Sequence, residues 1–80
     1  MEKILTTDES EQILKDVFAG VFGRPIDISA PLTREAFGEW DSLKHMEIMF
    51  ALEAATGREF LEDQIAEIKS VDDIRAMLRS

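Results

Sequence analysis

The chain has 80 residues, of which 45% are apolar and 32% charged, with a formal net charge of −8 at pH 7 and no cysteine. That is enough for one soluble domain with a radius of gyration near ~12 Å and a small core, but it leaves little room for a deep, dry active site. The acidity argues against nucleic acid and anionic membranes and favours basic protein partners, and the missing cysteine excludes a disulfide framework, a thiolate metal site and a cysteine nucleophile.

Helical periodicity dominates from the start. Thr6 and Glu9 have the spacing of a capping box, and Ile13, Leu14, Val17, Phe18, Val21 and Phe22 follow at helical intervals. These predict a first helix over about residues 8–21, ending near Gly20 or Gly23. Residues 23–41 hold Gly23, Pro25, Pro31 and Gly38 and show no sustained period. So long a connection in so small a domain is often functional. Its scattered Ile26, Ile28, Leu32 and Phe37 predict that it is pinned to the core.

A second helix is predicted from Ser42 to Ala55 or Thr56, stopped by Gly57. After a short turn, Glu62 to Ile68 forms a short third helix with Ile65 and Ile68 facing inward, and Ser70 and Asp73 cap a fourth over about 71–79 that buries Val71, Ile74 and Leu78. No strand signal competes. The expected fold is all-α: a small four-helix bundle of three main helices and one short one, with a long loop between helices 1 and 2.

The second helix is apolar on two sides. At about 100° per residue, Ile48, Ala51, Leu52 and Ala55 share one side, with Met49 at its edge. Leu43, Met46, Phe50 and Ala54 share the other, together with Glu47 and Glu53. A helix packed on both sides would show this pattern. So would a helix with one face in the core and a second, acid-studded face for basic partners. The two carboxylates favour the latter, because unpaired carboxylates are seldom fully buried.

Asp41-Ser42-Leu43 stands where the long loop becomes this helix. First-turn amides are unpaired and the helix dipole is positive there, which suits a phosphate. Asp41 or Ser42 acting simply as a cap explains the same residues. The stretch from Trp40 to Phe60 adds context. Asp-Ser-Leu opens a helix, then come Glu47, Ile48, Ala51, Leu52 and Glu53, and after the turn Glu59 and Phe60. This pattern resembles the acyl carrier protein family. Ile68-Lys69-Ser70-Val71 also resembles that family's entry to its last helix, and the likeness spans about residues 8–79.

The resemblance implies a single acyl-carrier-like domain over 1–80 that is not an enzyme and has no catalytic residue or resident metal. Ser42 would carry 4′-phosphopantetheine, transferred from coenzyme A by a phosphopantetheinyl transferase, and Asp41 would help hold the Mg²⁺ of that transfer. Leu43, Met46, Glu47, Phe50 and Glu53 would be the recognition surface for acyl-loading and acyl-processing enzymes with basic docking faces. The cargo would be acyl thioesters of a fatty acid, polyketide or other specialised pathway, and a monomer is expected. The arm's thiol would supply the sulfur that the chain lacks. Lys44, Ala54, Leu61 and Trp40 depart from the commonest fatty-acid carriers and point to a specialised carrier. An aminoacyl or peptidyl carrier, or an unmodified interaction domain of the same fold, is the alternative.

Other residues read more plainly. His45, the single histidine, has no evident acid to orient it; it reads as a half-exposed polar residue, or as lining the arm's exit. Trp40 is expected to pack the loop onto the second helix. Met46, Met49 and Phe50 divide between core and an adaptable surface or cavity. Asp72-Asp73 and Glu62-Asp63 fit solvated helix starts; no calcium loop, glycine-rich phosphate loop or zinc spacing occurs. No apolar run approaches a membrane span, and Met1-Glu2 does not open a signal peptide, so the cytoplasm is the expected compartment.

Overall fold

In a computed structural model of the chain, residues 6–29 and 32–79 are described; Met1, Glu2 and Pro31 lie outside them. Helix ends are set by residues that satisfy backbone groups left over at each terminus. Glu9 N–H donates to Thr6 Oγ1 at 3.1 Å and Thr6 N–H donates to Glu9 Oε1 at 3.2 Å, a complete capping box for α1 (Thr7–Phe22). Gly23 ends α1 at φ 72°, a left-handed conformation that a β-carbon would strain, and its N–H donates to the Ala19 carbonyl. Asp41 caps α2 (Ser42–Thr56), and Gly57, at φ 70°, ends it in the same way. The short α3 (Glu62–Glu67) comes next, then α4 (Val71–Arg79). Ser70 Oγ accepts from Asp73 N–H at 3.0 Å while Asp73 Oδ2 accepts from Lys69 N–H at 2.9 Å, a reciprocal cap for α4.

Among the described residues this is the expected all-α bundle, with boundaries shifted slightly. α1 runs one residue further at each end. α3 stops at Glu67 because Ile68 turns extended, at φ −74° and ψ 115°, to bury its side chain. Ile65 is half-buried rather than fully inward.

One core joins the pieces. α1 contributes Leu14, Val17 and Phe18; α2 contributes Ile48, Met49 and Leu52; α4 contributes Val71, Ile74 and Leu78. Ile28, Trp40 and Ile68 enter from the connections. Burial stabilises each such side chain by about 1.5–3 kcal/mol relative to exposure. The 23–41 connection is pinned as expected. Ile28 is buried, and Ile26, Leu32 and Phe37 pack against the core. Phe37 meets Phe22 with ring centroids 5.0 Å apart. An unforeseen antiparallel bridge, Thr33 to Ser70, ties the connection to the start of α4. There Arg34 N–H donates to the Lys69 carbonyl and Val71 N–H to the Leu32 carbonyl, each at 2.9 Å.

Arg75 staples α4 to α1 and to the connection. Its guanidinium donates to both Glu11 oxygens (2.7 and 2.9 Å), to the Ile28 carbonyl (2.7 Å) and to Asp72 (2.8 Å). The hydrogen bonds from Arg75 hold the Glu11 carboxyl below its ordinary 4.5. The linked stability is therefore present above that value and lost as pH falls through the lower folded one. Arg75→Ala should lower stability by about 1–3 kcal/mol and flatten this acid-side loss; urea unfolding at several pH values measures both.

α2 shows which of its two apolar sides is core. Ile48, Met49 and Leu52 are fully buried, whereas Leu43 and Phe50 are 67% and 59% exposed. Ile48→Ala should cost about 2–5 kcal/mol, and Phe50→Ala should change stability by no more than about 0.5 kcal/mol. Urea midpoints compared at constant m-value test the contrast.

Candidate functional site

Three consecutive residues at the head of α2 occupy three different environments. Trp40 is buried, at 2% exposure, with its ring edge-on to Phe18 at 5.4 Å. Asp41 is exposed and extended, at φ −89° and ψ −173°, and its Oδ1 accepts from Lys44 N–H at 2.9 Å. Ser42 is the first helical residue and is exposed, and among the described residues its hydroxyl has no hydrogen-bond partner. Asp41 N–H donates to the Glu39 carbonyl and His45 N–H to the Asp41 carbonyl. The amides of Ser42 and Leu43 are left open at the positive end of the helix dipole. The cap is thus Asp41, and Ser42 is spared that task.

A groove of about 320 Å³ adjoins Ser42. α2 gives it Ser42, His45 and Met46, α3 gives Glu62, Ile65 and Ala66, and the long connection gives Arg34. Its wall is mostly apolar, with one guanidinium and one carboxylate. Arg34, Glu62 and Ala66 carried no local signal of this role in the sequence, because they reach the groove only when α3 and the connection fold onto α2.

His45 requires a correction. It is buried, at 4% exposure, not half-exposed. Trp40 Nε1–H donates to His45 Nδ1 at 3.0 Å, and His45 Nε2 lies 2.8 Å from the Ile65 carbonyl. Both ring nitrogens are therefore satisfied without water, which is what permits burial. Desolvation pushes the imidazole below its ordinary 6.5, with the hydrogen bond to Ile65 opposing and the Arg34 charge adding. Trp40, as expected, packs the connection onto α2.

On the open side of α2, Leu43 and Phe50 are exposed together with Met46, at 37%. Leu61, ahead of α3, is also exposed, at 71%. Met49 belongs to the core instead. Glu47 and Glu53 are half-exposed, and both have local tasks. Glu47 lies 3.5 Å from Lys44 Nζ, which also donates to the Val21 carbonyl at 3.3 Å. Lys44 thus supplies positive charge to the C-terminal turn of α1, which has no basic residue of its own. Glu53 Oε2 accepts from Phe60 N–H at 2.8 Å and so fixes the turn between α2 and α3.

Among the described residues no cluster of three or more His, Asp or Glu could hold a metal ion. Among the same residues no helix is long and apolar enough to cross a membrane. Comparison with protein-family models, with curated proteins and with solved structures finds no match to this chain.

Because Asp41 carries the cap, Asp41→Ala should destabilise the protein by about 1 kcal/mol, while Asp41→Asn, which caps equally well, should be neutral within a few tenths. Thermal or urea unfolding of the two variants checks this.

Proposed function

We propose that the protein is an acyl carrier: Ser42 bears 4′-phosphopantetheine, and acyl groups travel on that arm between biosynthetic enzymes. The supporting observation is an uncommitted, exposed hydroxyl on the first turn of α2, beside two open amides, next to a groove with an apolar wall. These residues fit the group. A phosphodiester on Ser42 would meet the Ser42 and Leu43 amides and the positive helix end, and Arg34 is a cation lining the same groove. Met46, Ile65 and Ala66 offer an apolar wall to the part of the arm beyond the phosphate. The arm supplies a terminal thiol, and hence thioester chemistry, to a chain with no cysteine.

The chain's own part is to display and to dock, not to catalyse. Leu43, Met46 and Phe50 form an exposed apolar strip flanked by Glu47 and Glu53, on a domain of net charge −8. Such a strip suits brief association with basic enzyme faces, steered by charge. Tethering then raises the cargo's effective concentration at each partner's active site to the mM range. The proposed setting is the cytoplasm, as a monomer. The loading enzyme, rather than this fold, selects the cargo from fatty, polyketide or aminoacyl chemistry.

Incubation of the purified chain with coenzyme A, Mg²⁺ and a broad-specificity phosphopantetheinyl transferase should add one phosphopantetheine, read by intact-mass spectrometry. Ser42→Ala should abolish the addition. Asp41→Asn keeps the cap but removes the carboxylate offered to Mg²⁺, and should slow loading on the order of 10- to 100-fold. A wild-type mass that never changes, with a transferase active on other carriers, overturns the proposal and leaves the Leu43–Phe50 strip as the face of an unmodified interaction domain.

A further inference from the structure

α1 keeps a glycine that its backbone does not require. Gly20 stands in the last turn of the helix, outside the left-handed region that holds Gly23 and Gly57. A β-carbon at Gly20 would meet no atom within 4 Å, so no close approach requires glycine there either. Glycine weakens a helix relative to alanine. What the bare position does is keep open a groove of about 440 Å³ between α1 and α2. A side chain there would lie back over the preceding turn, where Asp16 and Val17 line the groove.

Asp16, Val17, Gly20 and Val21 form the α1 wall of this groove, and Glu47 and Ala51 form the α2 wall. Its surface is mostly apolar, and each wall carries one carboxylate. Asp16 Oδ1 accepts from Gln12 Nε2 at 2.9 Å, and Glu47 Oε2 lies 3.5 Å from Lys44 Nζ. One oxygen of each carboxylate is left without a partner among the described residues. The groove also lies at the negative end of the α1 dipole, in a turn with no basic residue of its own. Lys44, reaching the Val21 carbonyl from α2, offsets part of that potential. An apolar trough with a carboxylate on each wall matches a side chain with an apolar stem and a cationic head. A guanidinium suits it better than an ammonium, because it is more weakly hydrated and its fork of donors can serve more than one carboxylate.

We propose that the α1–α2 groove is a docking pocket for an arginine side chain of a basic protein partner. The stem lies on Val17, Val21 and Ala51, the guanidinium meets Asp16 and Glu47, and Gly20 is the residue that keeps the pocket open. On α2, Glu47 stands one turn from the exposed Leu43 and Phe50. A partner that covers that strip therefore reaches the groove, and the docking face extends from α2 onto α1. The domain's net charge of −8 draws a basic surface to this face, and the groove gives one of its arginines a fixed seat. The pocket is a property of the unmodified chain and does not depend on Ser42 being loaded.

NMR of the full, unmodified chain at neutral pH and low salt tests this, with a blocked peptide of a single arginine among alanines as the probe. Saturable shifts should centre on Val17, Gly20, Val21 and Ala51. Citrulline in place of the arginine keeps the shape and removes the charge, and should bind on the order of tenfold more weakly. Gly20→Met fills the groove without changing the charge of the domain. It should also weaken the arginine peptide on the order of tenfold, while keeping or raising the thermal midpoint, because methionine is the better helix former. Should that variant not fold, Gly20→Ala decides: its added methyl must weaken binding by about threefold or more. Shifts that never saturate or that centre elsewhere overturn the proposal. So does equal binding of the citrulline peptide, or unchanged binding by the filled groove, since diffuse charge would then suffice. Loading of Ser42, read by mass, is scored separately, so failure of the carrier reading leaves this result intact.

Discussion

The head of α2 depends on the burial of one indole. Trp40 sits in the core against Phe18, and its N–H must find a partner there, because an unsatisfied buried donor costs about 1–3 kcal/mol. His45 is that partner, one helical turn into α2. With Trp40 held inward, the next residue leaves the core in an extended conformation and Asp41 turns its carboxylate onto the helix it begins. Ser42 then faces outward without a structural duty. The exposed hydroxyl is a consequence of where Trp40 and Asp41 must be.

Placement of charge explains how α2 can be apolar on two sides when only one of them is core. Its buried side is closed by α1, and its other side is kept partly polar by Glu47 and Glu53. Those carboxylates are anchored, one near Lys44 and the other on the Phe60 amide. Lys44 reaches the Val21 carbonyl at the end of α1. Lys44 thus has a structural task in this chain.

α3 is the least committed element. It is short, has no fully buried residue, and is tied to the rest by Ile68, by the Glu53-capped turn and by His45. The part of the groove wall that adjoins Ser42 is therefore the part whose stability is smallest. The firm elements thus present Ser42, and the loosest one borders the groove beside it.

Short-range patterns were sufficient for much of this. Thr6 with Glu9, Gly23, Gly57 and Ser70 with Asp73 mark helix ends through bonds spanning three or four residues, so they are visible in one dimension. The apolar intervals named Leu14, Val17 and Phe18 of α1 and Val71, Ile74 and Leu78 of α4, all buried, while Ile13, Val21 and Phe22 are only partly so and buried Ser10 fell outside the pattern. Other features depend on contacts between distant segments. A lone histidine in a polar stretch reads as half-exposed; only Trp40 on one side and a carbonyl of α3 on the other make its burial possible. Which apolar side of α2 would be core, and that Arg34, Glu62 and Ala66 would border Ser42, were decided by packing. Periodicity assigns residues to a face of a helix, but the identity of the surface opposite that face is a property of the whole assembled chain.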